Sequence, residues 1–200
     1  QKPGGRLVIN LDDPVTQTLT LNPDSEIWGC SKTQVPENGV YLQDGIIYIV
    51  QGGVSRPLVH ADHIRIPGEH NVSNVMMAAA IVQGYCADED IVHVAQTFGG
   101  VEHRIEFVRE LDGVRYYNDS IASSPTRTIA GLRSFPQKII LIAGGYDKHI
   151  PYDVLGEPIC THVSKLILTG ATAPKIRACV EQADCAEKPE MQDAADLAEA

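Results

Sequence analysis

Two short runs constrain this chain more than any other feature. Ile139-Ile140-Leu141-Ile142 and Leu166-Ile167-Leu168 are apolar without interruption, and each soon gives way to glycine, at Gly144-Gly145 and at Gly170. A strand with one wet face alternates; a continuously apolar strand is covered on both faces, as in a parallel sheet flanked by helices. Around these runs the pattern predicts strands over 105–111, 114–118, 138–143 and 165–169, with a turn at Asp112-Gly113. Helices are expected over 125–134 and 174–182, with a short one near Tyr152 and a last helical stretch from Met191. Residues 194–200 read as the middle of a helix with no strand to follow. The order is α/β, of the kind that builds nucleotide domains.

The first half reads differently. Arg6 to Asn10 is a short apolar strand, and Asp12-Asp13-Pro14 is turn chemistry, since Pro cannot continue a ladder. Tyr41-Leu42 and Ile46 to Val50 flank Asp44-Gly45, a pair suited to the positive φ of a tight hairpin, and Gly52-Gly53 closes the second strand of what reads as a meander edge. Residues 74–82 predict a buried helix capped by Asn71 or Ser73 and ended by Gly84. A second helix starts after Cys86, where Asp88, Glu89 and Asp90 suit its positive end, and Phe98-Gly99-Gly100 breaks it. The expected domain boundary lies there, dividing 1–101 from 102–200.

Charge narrows the partners. Across 200 residues, 26 Asp and Glu stand against 16 Lys and Arg, a net charge of −10, with no basic cluster of the kind a nucleic-acid backbone requires. The longest apolar run, Val75 to Val82, is far short of the roughly 20 residues of a membrane helix, and the residues from Gln1 onward show no leader pattern. The chain reads as cytoplasmic, with neither nucleic acid nor membrane as partner. Cys30, Cys86, Cys160, Cys179 and Cys185 are scattered without a C-x-x-C pair and read as free, reduced thiols. His60-Ala61-Asp62-His63 reads as a polar surface loop on an extended segment, so no metal ligands are assigned. No G-x-x-x-x-G-K-[ST] segment occurs.

Ligands of open α/β sheets bind beyond the carboxyl ends of the strands. Three loops qualify: Tyr117-Asn118-Asp119-Ser120, running through Ser123 and Ser124 to Pro125; Ala143-Gly144-Gly145-Tyr146-Asp147-Lys148; and Thr169-Gly170-Ala171-Thr172. Each alone also reads as ordinary turning and capping. Jointly they are expected at one sheet edge, converging on one cleft. In Gly68-Glu69-His70-Asn71, with Asn74 one turn on, paired amides suit an adenine edge, or else Asn71 caps the helix. In Glu102-His103-Arg104, the guanidinium either forks onto a phosphate or pairs with Glu102 or Glu106.

Taken in order, these segments (Gly68 to Asn71 with Asn74, Glu102 to Glu106, Tyr117 to Ser120 with Ala122-Ser123, and Ala143 to Lys148) resemble the Mur ligases. The Asn-Asp-Ser and Gly-Gly-x-x-Lys segments are similar to those of the D-glutamate-adding branch, and Val8 to Pro14 resembles a strand end of the family's central domain. The resemblance implies the distal part of a central ATPase domain followed by an incomplete Rossmann-like C-terminal domain. It implies a monomeric amide ligase of peptidoglycan precursor synthesis using ATP and Mg²⁺, with UDP-N-acetylmuramoyl-L-alanine and D-glutamate as substrates.

Residue by residue, the resemblance implies that Asn71 and Asn74 hold adenine, with His103 nearby, and that Arg104 and Asp119 contact ribose and phosphates. Lys148 and Ser123 would grip a D-glutamate carboxylate, and Gly144-Gly145 would let the backbone come close; Asp119, Arg104 and Lys148 are the expected catalytic set. The family's P-loop and metal-ligating residues would precede Gln1 and its final strands would follow Ala200, so the chain alone is not expected to turn over. Ile121 departs from the Lys that many relatives carry after Asn-Asp-Ser. Two rivals remain: an L-glutamate-adding ligase like folylpolyglutamate synthase, whose Asp-x-Ala-His is absent at 118–120, and a non-enzymatic α/β binding module.

Overall fold

In the computed structural model, residues 2–19, 21 and 24–200 are described; Gln1, where the leader reading begins, lies outside them. The chain divides into two units, 1–99 and 100–200. In the first, β1 (Arg6–Asn10), β2 (Glu26–Ser31), β3 (Gly39–Gln43), β4 (Ile46–Gln51) and β5 (Val54–His60) form one sheet in chain order. The β1–β2 and β2–β3 pairs are parallel, and β3–β4 and β4–β5 are antiparallel. The hairpin between β3 and β4 turns where expected, with Asp44 and Gly45 both at positive φ (50° and 76°).

The strand β2 is not legible in the sequence pattern, yet it carries Trp28, which is wholly buried. Its ring lies under the Arg6 guanidinium at 4.2 Å, and its Nε1 donates to Glu26 Oε1 at 2.7 Å. Helix α1 (Glu69–Val82) packs Met76, Ala79 and Ala80 onto Trp28, Val40, Ile47 and Ile49. The helix begins earlier than the sequence suggests. Gly68, at φ 105°, is its N-cap in place of Asn71 or Ser73, so Asn71 sits inside the first turn. Helix α2 (Asp88–Thr97) starts on its three acidic residues as expected, and Arg56 of β5 forks onto Asp88 at 2.7 and 3.2 Å. His60 to His63 is a strand end followed by one 3-10 turn (Ala61–His63), not an extended loop.

The second unit opens with an antiparallel hairpin, β6 (Glu106–Leu111) and β7 (Val114–Asn118), then α3 (Pro125–Leu132). A three-stranded parallel sheet follows, from β8 (Ile139–Gly144), β9 (Val163–Thr169) and β10 (Glu190–Asp193), in the order β10-β9-β8. Helices α4 (Gly156–His162) and α5 (Ala173–Gln182) cross between successive strands. That is half of a doubly wound sheet, ordered 3-2-1.

Three expectations fail here. The stretch from Met191 is a strand rather than a helix, because backbone pairing with Lys165 to Leu168 and the packing of Met191 on the core outweigh the helix-forming residues. Only β9 is buried on both faces. In β8, Ile139, Leu141 and Ala143 meet the helices, while Ile140 and Ile142 point away and are 61% and 45% exposed. The cysteines are not all free: Cys160 of α4 is bonded to Cys185 beyond α5, with Cα atoms 6.5 Å apart, because the packing of α4 on α5 brings the two together. Among the described residues, no helix is long and apolar enough to cross a membrane.

Candidate active site

Asn71 and Asn74 belong to the first unit, and the remaining candidates to the second. Asn71 is 8% exposed; its Nδ2 donates to the Pro67 carbonyl at 2.6 Å and its Oδ1 accepts from Asn74 Nδ2 at 3.1 Å. Its amide is therefore occupied on both ends, and what it presents to solvent is Asn74, which is exposed. Nearby, Lys32 pairs with Glu69 at 2.8 Å. Asp12 accepts from Ser31 Oγ, the Lys32 N–H and Thr33 Oγ1 at 2.6–2.9 Å. Burial pushes the Asp12 carboxyl up, but those donors outweigh it and hold the group below its ordinary range.

In the second unit the three loops do not share one edge. Tyr117 to Ser120 ends a strand of the separate hairpin, and only the loops after β8 and β9 lie together at the carboxyl end of the parallel sheet. The hairpin is fixed by aromatic packing, with Phe107 on Tyr117 at 5.6 Å and Tyr117 on Phe135, beyond α3, at 5.0 Å.

The turn before β6 carries Arg104 between two residues at positive φ, His103 (64°) and Ile105 (46°). For a β-branched residue that region costs about 1–3 kcal/mol and persists only where the surroundings impose it. Here they do. Asp119 Oδ1 accepts from the Ile105 N–H at 3.1 Å, and the His103 carbonyl accepts from the Ile121 N–H at 3.2 Å. The His103 ring lies 2.8 Å from Asn118 Nδ2, and Glu106 accepts from the His103 N–H at 2.8 Å. Glu106 is thus taken by His103, and Arg104 is exposed and makes no ion pair among the described residues. Ser123 stands exposed between β7 and α3.

The loop after β8 is locked to the loop after β9. Gly145 donates to the Thr169 carbonyl at 3.2 Å, and the Gly145 carbonyl accepts from both the N–H and the hydroxyl of Thr172, at 3.2 and 3.4 Å. A Cβ on Gly144 would lie 1.6 Å from the Thr169 oxygen, so glycine there is a steric demand. Asp147 accepts from Lys175 of α5 at 2.6 Å and from the His149 N–H at 2.9 Å, and those contacts, Lys175 foremost, hold its carboxyl below the usual range. Lys148, next along, is exposed and makes no ion pair among the described residues. Lys175 and Gly131 lie outside the segments that the sequence offers as candidates, and Thr172 and Ile105 enter only as members of a loop and of the segment around Arg104; a glycine inside a helical pattern, as at 131, is the one signal that points to that position.

Known proteins settle the family. The Mur ligase glutamate ligase domain matches residues 103–200. A UDP-N-acetylmuramoylalanine--D-glutamate ligase from Acetivibrio thermocellus is 51% identical over 86% of this chain and 37% of its own length. One from Clostridium novyi is 45% identical over 88% of this chain and 38% of its own. This chain belongs to the Mur ligase family. Among solved structures, MurF from Acinetobacter baumannii shares the fold, with a TM-score of 0.65 at 18% identity, over 99% of this Mur ligase chain and 44% of the MurF chain. The chain spans well under half the length of the curated relatives it matches.

Proposed function

We propose that this chain is part of an ATP-dependent ligase that joins D-glutamate to UDP-N-acetylmuramoyl-L-alanine in peptidoglycan precursor synthesis. The observation that carries the reading is Arg104, which sits on a strained turn at the end of the hairpin and whose guanidinium makes no ion pair among the described residues. A guanidinium fork carried on a backbone turn held in place suits a phosphate-bearing nucleotide. The relatives at 45–51% identity are named for D-glutamate, which favours that amine over the L-glutamate of the rival ligase.

A carboxylate is a poor electrophile, and ATP supplies the phosphoryl group that turns it into an acyl phosphate open to an amine. The residues of this chain bind and orient. Asn74, braced by Asn71, offers a donor and an acceptor to adenine, with His103 beside the phosphate-facing turn. Arg104 takes phosphate oxygens, and Asp119 adds a carboxylate for ribose hydroxyls. Lys148 and Ser123 face the amino acid's carboxylate, with the Gly144-Gly145 backbone close by. Positioning and charge, rather than a side-chain nucleophile, are the chain's share of the catalysis. Among the described residues, no group of three or more His, Cys, Asp or Glu is placed to hold a metal, and no step here runs through Mg²⁺. The reading includes a cytoplasmic, monomeric enzyme.

The test is ADP release by a protein extended to the length of the relatives. Release is expected to require both UDP-N-acetylmuramoyl-L-alanine and D-glutamate, with L-glutamate unable to substitute. Arg104→Ala is expected to cost about 10²–10³-fold in turnover. Indifference to D-glutamate overturns the reading.

A further inference from the structure

Helix α3 approaches the hairpin through Gly131, which is buried near its C-terminal end. A Cβ at that position would stand 2.8 Å from Asp119 Oδ2 and 4.0 Å from Ile105 Cδ1. The other carboxylate oxygen of Asp119 accepts from the Ile105 N–H. The carboxylate is thus wedged between the helix and the turn, and the turn it holds is the one that carries Arg104 between two left-handed residues. The side chain of Ile105, 8% exposed, is packed on the same side, so the backbone at 105 is gripped at both its N–H and its Cβ branch.

We propose that Gly131 and Asp119 are positioning residues for Arg104: the missing side chain at 131 lets the Asp119 carboxylate reach the Ile105 amide, and that bond sets the aim of the guanidinium. This deepens the reading of Arg104 as the phosphate-contacting residue, and it gives Asp119 a second task beside any contact with the nucleotide. A helix-interior glycine with no such task would be improved by alanine, because alanine is the better helix former. Here the same substitution drives a methyl into a carboxylate oxygen. The two roles therefore predict opposite outcomes for one variant.

The first measurement is amide hydrogen exchange at Ile105 in the 200-residue chain. Gly131→Ala and Asp119→Ala are each expected to speed exchange there by about tenfold, the worth of one hydrogen bond. Asp119→Asn, which keeps an acceptor oxygen, is expected to leave it nearly unchanged. The second measurement uses the protein extended to the relatives' length. Gly131→Ala is expected to raise the KM for ATP by at least about tenfold while the KM for D-glutamate does not move. Unchanged Ile105 exchange in Asp119→Ala overturns the proposal whether or not Gly131→Ala folds, and so does a Gly131→Ala protein with unaltered KM for ATP. If Arg104→Ala leaves ATP use intact, the functional reading falls separately, since the exchange experiment asks nothing of nucleotide.

Discussion

At the scale of single residues, the polar side chains named from the sequence divide into those that present and those that brace. Asn74, Arg104 and Lys148 present; Asn71 and Asp119 also brace, the latter beside any contact of its own. Residue type alone could not separate these roles, because an amide or carboxylate looks the same in sequence whether its partner is a ligand or a backbone group. Gly144 and Lys148 were legible as a glycine-rich loop, whereas Thr172 and Lys175, which hold that loop, lie in a different segment. Thr172→Val removes a hydroxyl that is 2% exposed and bonded to the Gly145 carbonyl, and is expected to cost about 1 kcal/mol in the unfolding of the second unit. Gly144→Ala is expected to cost over about 3 kcal/mol, since the methyl would overlap the Thr169 carbonyl of the neighbouring strand. Urea titration followed by circular dichroism measures both.

Among the elements, those with a periodic or punctuated pattern were readable and those made by pairing were not. The hairpin at Asp44-Gly45, helix α2 with its acidic start, and strands β6 to β9 stand close to where the pattern puts them. The strand β2 leaves no such pattern, and the residues of β10 carry the pattern of a helix. Both exist because a neighbouring parallel strand offers a ladder, and β10 is only four residues long. The covering of β8 is illegible for a related reason, since four apolar residues in a row do not say how many faces are filled.

The tie between β5 and α2 can be read through pH. Hydrogen bonding to Arg56, chiefly, lowers the Asp88 carboxyl from its ordinary 3.8, against the opposing effect of burial. A carboxylate whose pKa falls on folding adds stability that is full above the unfolded value and is lost as pH drops through the folded one. Glu26, held down foremost by Trp28 Nε1, and Asp12 act in the same direction. The melting temperature of the first unit is therefore expected to fall below about pH 4, and Arg56→Met to flatten part of that fall, with a cost at neutral pH of no more than about 1 kcal/mol for a pair this exposed.

For the molecule as a whole, each unit has a core of its own: Trp28, Ile47, Ile49 and Met76 in the first, Ile159, Val163, Leu166 and Leu168 in the second. Cutting the chain between Gly99 and Gly100 is expected to leave two pieces that each melt cooperatively; a piece with no transition would show that its core is insufficient alone. In colloidal terms, the chain balances an adhesive rim against mutual repulsion. The strand β8 ends its sheet with Ile140 and Ile142 bare, a template for another strand, while a net charge of −10 keeps copies apart over a distance of about 10 Å at 0.1 M salt. Light scattering from this chain should grow as salt is added, and Ile140→Lys should suppress the growth, so ionic strength decides whether solutions of it stay dispersed.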